Sequence, residues 1–298
     1  MSRLLKRKTM KKITAVLALF SLGFCGAALA EEEELPLSAS ELVDYDPMGI
    51  WTHSRGYGYA KDEGSQTVLF PKENNFFVYY VPPDYKSGRV MVAVHGAGSN
   101  PYDELMAEIP MAKQFDYLAV AVNWGKPGSG VMNADALYRN IQMALAYLQK
   151  KESNSLEKVA YIGFSRAAAV SYEIAYLDAH KWHLFDLFIA HSGGIPADYR
   201  VEPKRAGAEP DAFLVKLVQG RLGPAPLKET AFFLYSGDKD EDWGLRMSEQ
   251  VENAEKLITQ NGGTVVERVR RTDLGHAGLR SDPSINEKAV RAFIERTP

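Results

Sequence analysis

The sequence predicts an α/β fold, a mostly parallel central sheet with helices on both faces. Three observations carry that expectation. Several strand-length segments are continuous apolar runs, among them Val90-Met91-Val92-Ala93-Val94, residues 117–122 and Val159-Ala160-Tyr161-Ile162. Strands buried on both faces of a parallel sheet read in this way. Between them lie segments of helical period, such as 134–150, where Leu137, Ile141, Ala144 and Leu148 fall on one face. Strands alternating with helices imply right-handed crossovers and a covered sheet. Finally, 298 residues with 46% hydrophobic and 24% charged content are enough to bury one large core.

The chain opens with Arg3, Lys6, Arg7, Lys8, Lys11 and Lys12, an apolar run over 13–25, and Ala28-Leu29-Ala30 before Glu31. A basic start, a short apolar stretch and a small-x-small site form the layout of a secretory signal peptide, with cleavage expected after Ala30. The apolar part is short for a membrane span; an uncleaved N-terminal anchor is the alternative. The expected location is secreted or periplasmic, with no stable membrane anchor after cleavage. Cleavage removes six basic residues and no acidic ones, taking the formal charge from −3 to −9. Such a surface argues against nucleic acid or anionic membrane as a partner. The only cysteine, Cys25, lies inside the signal and follows Phe24, where a lipid-modified cysteine would follow a small residue. The mature chain therefore has no disulfide, cysteine metal site or cysteine nucleophile.

Residues 31–298 are expected to form one domain. The acidic run 31–34 reads as a solvated terminus, and the aromatic, glycine-rich stretch 51–59 as a drape over the sheet, with lining a site as the alternative. A strand at 75–81 ends at Pro82-Pro83-Asp84-Tyr85. The strand at 89–94 runs into His95-Gly96-Ala97-Gly98-Ser99-Asn100, and Pro101 opens a helix to 114. The strand at 117–122 ends at Asn123-Trp124-Gly125, and the helix 134–150 follows. After the strand ending at Phe164 come a helix to about 180, strands at 184–190 and 231–235, and a helix at 245–260. Asn261-Gly262-Gly263 stops that helix, ahead of a last strand at 264–269 and a helix at 284–296. Residues 192–230 break this rhythm. They are rich in Gly, Pro and charge, hold one short apolar helix candidate at 212–218, and read as a cap or lid insertion.

The chemistry gathers around Gly163-Phe164-Ser165-Arg166-Ala167. Gly-x-Ser-x-small between a buried strand and an alanine-rich helix lifts a serine hydroxyl onto a turn too sharp for ordinary side chains. A serine nucleophile needs a base near its operating pH, and that base needs an orienting carboxylate. Of the six histidines, His53 precedes the core sheet and His95 lies upstream of the serine. His180 and His183 flank a helix end in H-x-x-H spacing, with no third metal ligand evident, and His191 ends a strand. His276 alone follows the last strand beside a glycine, with a helix still to come, and is the expected base. The expected acid is Asp240, three residues after Gly237; Asp242 competes, and Asp238 is better suited to shaping the turn. Two N–H groups must receive the oxyanion: that of Arg166, and that of Ala97 or, alternatively, Gly98. The same glycine-rich loop lacks the Lys-Ser/Thr and the complete G-x-G-x-x-G of nucleotide-binding loops. Trp124 and Trp243 are candidate pocket walls, and the Arg166 side chain either favours a substrate carboxylate or pairs with a nearby acid.

On these residues the chain resembles the secreted α/β-hydrolases. Phe77-Val78-Tyr79-Tyr80-Val81-Pro82-Pro83-Asp84-Tyr85, then His95-Gly96, then Gly163-Phe164-Ser165 are similar to the branch of polyhydroxybutyrate depolymerases, feruloyl esterases and dienelactone hydrolases. The resemblance runs from about Asn75 to the C-terminus. It implies an α/β-hydrolase fold and a serine hydrolase cleaving a small-molecule or polymer-derived ester. In that reading Ser165 is nucleophile, Asp240 acid and His276 base, Ala97 and Arg166 are oxyanion donors, and no metal or organic cofactor takes part. Ala167 stands where the family usually has the second glycine of the elbow, and Arg166 and the insertion at 192–230 depart further from the pattern. A peptidase or acyltransferase with the same triad, and a non-catalytic binding protein on the same fold, are the rival readings.

Overall fold

The computed structural model describes residues 49, 51–70, 75–124, 132–151, 156–198, 211–242 and 245–296. The signal-like segment 1–30, the acidic run 31–34, residues 199–210 of the insertion and Trp243 lie outside them.

Eight strands form one sheet: β1 (Gln66–Phe70), β2 (Asn75–Tyr80), β3 (Arg89–Val94), β4 (Leu118–Val122), β5 (Lys158–Phe164), β6 (Leu187–His191), β7 (Ala231–Gly237) and β10 (Thr264–Arg271). Their spatial order is β1-β2-β4-β3-β5-β6-β7-β10. β1 and β2 pair antiparallel, as do β2 and β4, and the six strands from β4 to β10 run parallel. A separate two-stranded hairpin, β8 (Glu241–Asp242) with β9 (Leu245–Arg246), follows β7.

The apolar runs are continuous because both faces are covered, and successive residues serve opposite cores. In β3, Val90, Val92 and Val94 point into one cluster while Met91 and Ala93 enter the other, as the period of two requires. The first cluster is closed by α3 (Ala134–Lys151), α4 (Arg166–His180), α5 (Ala212–Val218) and α6 (Met247–Gln260). The second is closed by α1 (Arg55–Asp62), α2 (Pro101–Phe115), α7 (Gly278–Ser281) and α8 (Pro283–Glu295). Phe213, Leu214, Leu217 and Leu227 of the insertion are buried in the first cluster, so its described part helps to close the domain's own core.

Two sequence expectations are corrected, and one strand is added. The stretch 51–59 does not simply drape. From Arg55 it forms α1, whose N-terminus is capped by Ser54 Oγ accepting the Tyr57 N–H (3.1 Å). Gly56 packs so tightly on α2 that an added Cβ would lie 2.4 Å from Asp103 Oδ1. The edge strand β1 has no counterpart in the sequence reading. The strand expected at 184–190 begins only at Leu187. Ahead of it the backbone is held by a side chain, with Asp178 Oδ1 accepting from Leu184 N–H (2.7 Å) and Oδ2 from Phe185 N–H (3.1 Å).

Candidate active site

The parallel strands end on the same edge, and the loops leaving β3, β5, β6, β7 and β10 converge there. Ser165 occupies the turn between β5 and α4. Its backbone sits at φ 56°, ψ −111°, a region that non-glycine residues rarely enter and that marks stored strain. Close approach explains the small residues around it. A Cβ on Gly163 would lie 2.6 Å from the Ala167 carbonyl, one on Gly193 2.5 Å from Ser165 O, and one on Gly96 3.0 Å from Ser165 Cβ. The turn is braced by Ser165 N–H donating to His191 O (2.8 Å), Ala169 N–H to Ser165 O (3.0 Å) and Tyr161 Oη–H to Ala167 O (2.9 Å). Ser165 thus precedes the first turn of α4, where helix N–H groups present partial positive charge.

On the loop between β10 and α7, His276 donates from Nδ1 to Asp240 Oδ2 at 2.8 Å. An ionised carboxylate can only accept, so Nδ1 carries a proton, and in the neutral ring the lone pair lies on Nε2. Asp240 is buried and His276 half-exposed. Asp238 is engaged elsewhere: Arg270 donates to both its oxygens (2.7 and 2.9 Å) and holds its carboxyl below the usual range. The backbone of Asp242 lies in β8, and its side chain is outside the described set. Gly237 lets the tip of β7 pass the histidine loop, since a Cβ there would lie 2.4 Å from Leu274 O. Among the described residues, His276 bonds Asp240 but makes no hydrogen bond with Ser165 Oγ.

Ala97 lies on an exposed turn closed by Ser99 N–H donating to Gly96 O (3.3 Å), with Gly98 at φ 78°. Arg166 is the first residue of α4 and is half-buried. Beneath the turn, His95 is fully buried. Its Nδ1 lies 2.9 Å from Gly96 O and its Nε2 3.1 Å from Asn123 Oδ1. Burial pushes the His95 imidazole down to about 4, so the ring is neutral at neutral pH. Trp124 stacks on that ring (centroids 5.2 Å apart) and donates its indole N–H to His95 O (2.8 Å). The indole is thereby tied to the loop that leaves β3. His180 Nδ1 is engaged by Tyr176 O (2.8 Å).

Sequence reasoning missed a cluster around Phe164, the residue before Ser165. Its ring touches those of His191 (centroids 4.7 Å apart) and His276 (4.9 Å), and the Arg280 guanidinium lies 4.2 Å over it. Arg280, four residues after His276, also makes an ion pair with the buried Glu104 of α2. Burial pulls the guanidinium down to about 10 against the opposing pull of Asp103. His191 is likewise buried, and burial with the neighbouring His276 pushes it down to about 3. No local motif announces these residues; only their meeting in space does.

No known family pattern matches the chain, and no curated protein matches it in sequence. Solved structures do. A fungal esterase structure from Rhizomucor miehei aligns at TM-score 0.59 and 11% identity, over 89% of this chain and 97% of that one. An esterase from Pyrococcus furiosus aligns at 0.56 and 19%, over 80% and 95% respectively. A poly(3-hydroxybutyrate) depolymerase from Bordetella parapertussis aligns at 0.53 and 17%, over 88% and 97%. Sheet order, helix layering and these structural matches together establish that the chain has the α/β-hydrolase fold.

Proposed function

We propose that the protein is a serine hydrolase that cleaves a carboxylic ester through an acyl-enzyme. The observation that carries this reading is Ser165, held at positive φ on a strand-to-helix turn, with the His276–Asp240 pair on neighbouring loops of the same sheet edge. The strained backbone puts the hydroxyl where a carbonyl can approach it, and the fixed Nδ1 proton leaves Nε2 to act as base.

In the first step Ser165 Oγ attacks the ester carbonyl carbon while His276 Nε2 takes the hydroxyl proton. The tetrahedral oxygen is received by the Arg166 and Ala97 N–H groups. The carbon–oxygen bond to the alcohol then breaks, and the alcohol departs with the proton from Nε2. Water, deprotonated by the same nitrogen, attacks the acyl-serine, and collapse releases the acid and restores the hydroxyl. Asp240 accepts the Nδ1 hydrogen bond throughout and stabilises the imidazolium. Trp124, the Arg166 side chain and the insertion at 192–230 are proposed to shape the acyl and alcohol pockets. The esterase and depolymerase names of the structural relatives favour ester substrates over peptides. The N-terminal segment leads us to propose export with cleavage after Ala30, which N-terminal sequencing of the secreted protein checks.

The test is labelling with a fluorophosphonate probe and hydrolysis of an ester panel of varied acyl length, each with Ser165→Ala as control. Labelling at Ser165 and loss of both signals in the variant are expected. Equal ester hydrolysis by Ser165→Ala would overturn the assignment.

A further inference from the structure

Ser192 stands one residue past the end of β6, the strand between the one that carries Ser165 and the one that leads to Asp240. It is buried at 1% exposure and adopts φ 54°, the left-handed conformation that favours glycine. An outlier of this kind persists only where its surroundings impose it, and such outliers gather at functional sites. Its hydroxyl donates to the backbone carbonyl of His276 at 2.6 Å across 84 residues of sequence. Its own N–H donates to Tyr235 O in β7 (3.2 Å).

The residues on either side face the opposite way, toward the nucleophile. His191 O accepts the Ser165 N–H (2.8 Å), and Gly193 lies against Ser165 O, its place pinned by Tyr172 Oη–H donating to Gly193 O (2.7 Å). Three consecutive residues therefore hold the backbone of Ser165 with one side and that of His276 with the other. Asp240 orients the His276 ring, and Ser192 holds the main chain from which that ring projects.

We propose that Ser192 is a positioning residue for catalysis, setting the distance between the base and the nucleophile through its hydrogen bond to the His276 carbonyl. The inference rests on the serine-hydrolase reading above. A small displacement of a reacting group costs rate far more than affinity. Loss of the hydroxyl is therefore expected to lower kcat on the order of 10- to 100-fold, with KM changed less than about threefold.

The experiment compares Ser192→Ala and Ser192→Gly with the wild-type chain in kcat, KM, fluorophosphonate labelling rate and Tm. Glycine accepts φ 54° without strain, so that variant keeps the fold available while lacking the hydroxyl. Both variants are expected to lose kcat and labelling rate in parallel. A merely structural hydroxyl would lower Tm and leave kcat within about twofold, and that result overturns the proposal. So does a glycine variant with wild-type kcat beside a slow alanine variant, which would assign the effect to backbone strain. Ser165→Ala separates the two levels: if it stays active the hydrolase reading itself fails, and if it is inactive while the Ser192 variants are fast, only the positioning role fails.

Discussion

Replacing Arg280 by methionine strands a carboxylate in the protein interior. Glu104 is 2% exposed, its Oε2 pairs with Arg280, and its Oε1 has no partner among the described residues. Breaking a buried pair by removing one member costs about 3–5 kcal/mol, because the remaining charge is left without compensation. At about 2–4 °C per kcal/mol for a domain of this size, Tm should fall by roughly 6–20 °C. The reverse change is milder. The Arg280 side chain keeps 19% exposure and a cationic head can turn toward water, so Glu104→Leu should cost about 1–2 kcal/mol. The double variant Glu104→Leu/Arg280→Met removes both charges and leaves apolar groups of similar size. It should recover to within about 1–2 kcal/mol of wild type, less whatever the guanidinium gains over the Phe164 ring. Urea unfolding of the four proteins, followed by tryptophan fluorescence, gives the cycle directly. Arg280→Met costing under about 1 kcal/mol, or a double variant equal to the sum of the singles, would refute a buried, mutually dependent pair.

Two further outcomes follow from named contacts. Asp240→Asn should lower kcat on the order of 10³- to 10⁴-fold by disturbing the Nδ1 proton of His276, whereas Asp238→Asn, whose carboxylate is engaged by Arg270 and Ser248, should stay near wild-type activity; similar losses in the two would contradict the acid assignment. His191 is neutral when folded, with its imidazole pushed down to about 3, below its unfolded value near 6.5. Its contribution is thus present above pH 6.5 and lost as pH falls toward 3, while Glu108 and Asp178, raised by burial to about 7 and about 6, act in the opposite sense. Relative to wild type, His191→Phe should therefore gain about 1.4 kcal/mol per pH unit below pH 6, and parallel stability curves for the two proteins would rule this out.

Much of the fold is legible because burial on both faces leaves a plain trace. The runs that became β3, β4 and β5 contain almost nothing polar, and the helical spacing in α3 is regular. Failures occur where tertiary contacts override local signals. Arg55–Asp62 carries two glycines and no clear period, yet Ser54 and the face of α2 make it a helix. The apolar residues Leu184 and Phe185 look like strand, but the buried carboxylate of Asp178 takes their N–H groups. β1 lies at the sheet edge, where pairing with β2 supplies what sequence pattern lacks.

The Gly-x-Ser-x-Ala motif shows the same division. Gly163-Phe164-Ser165-Arg166-Ala167 places a serine between a buried strand and a helix, and chain order singles out His276 and a short run of aspartates. That much is legible in the sequence, because strand, turn and helix are local and histidines that follow the last strand are few. Which aspartate reaches His276, what ties the Trp124 indole, and why Ser192 stands at positive φ were decided only by tertiary structure. The contacts concerned, from Asp240 to His276, Arg280 to Glu104 and Ser192 to His276, join residues 36 to 176 positions apart. No periodicity encodes them. They exist because parallel crossovers bring the ends of successive strands to one edge, where each loop meets partners that its own sequence does not specify.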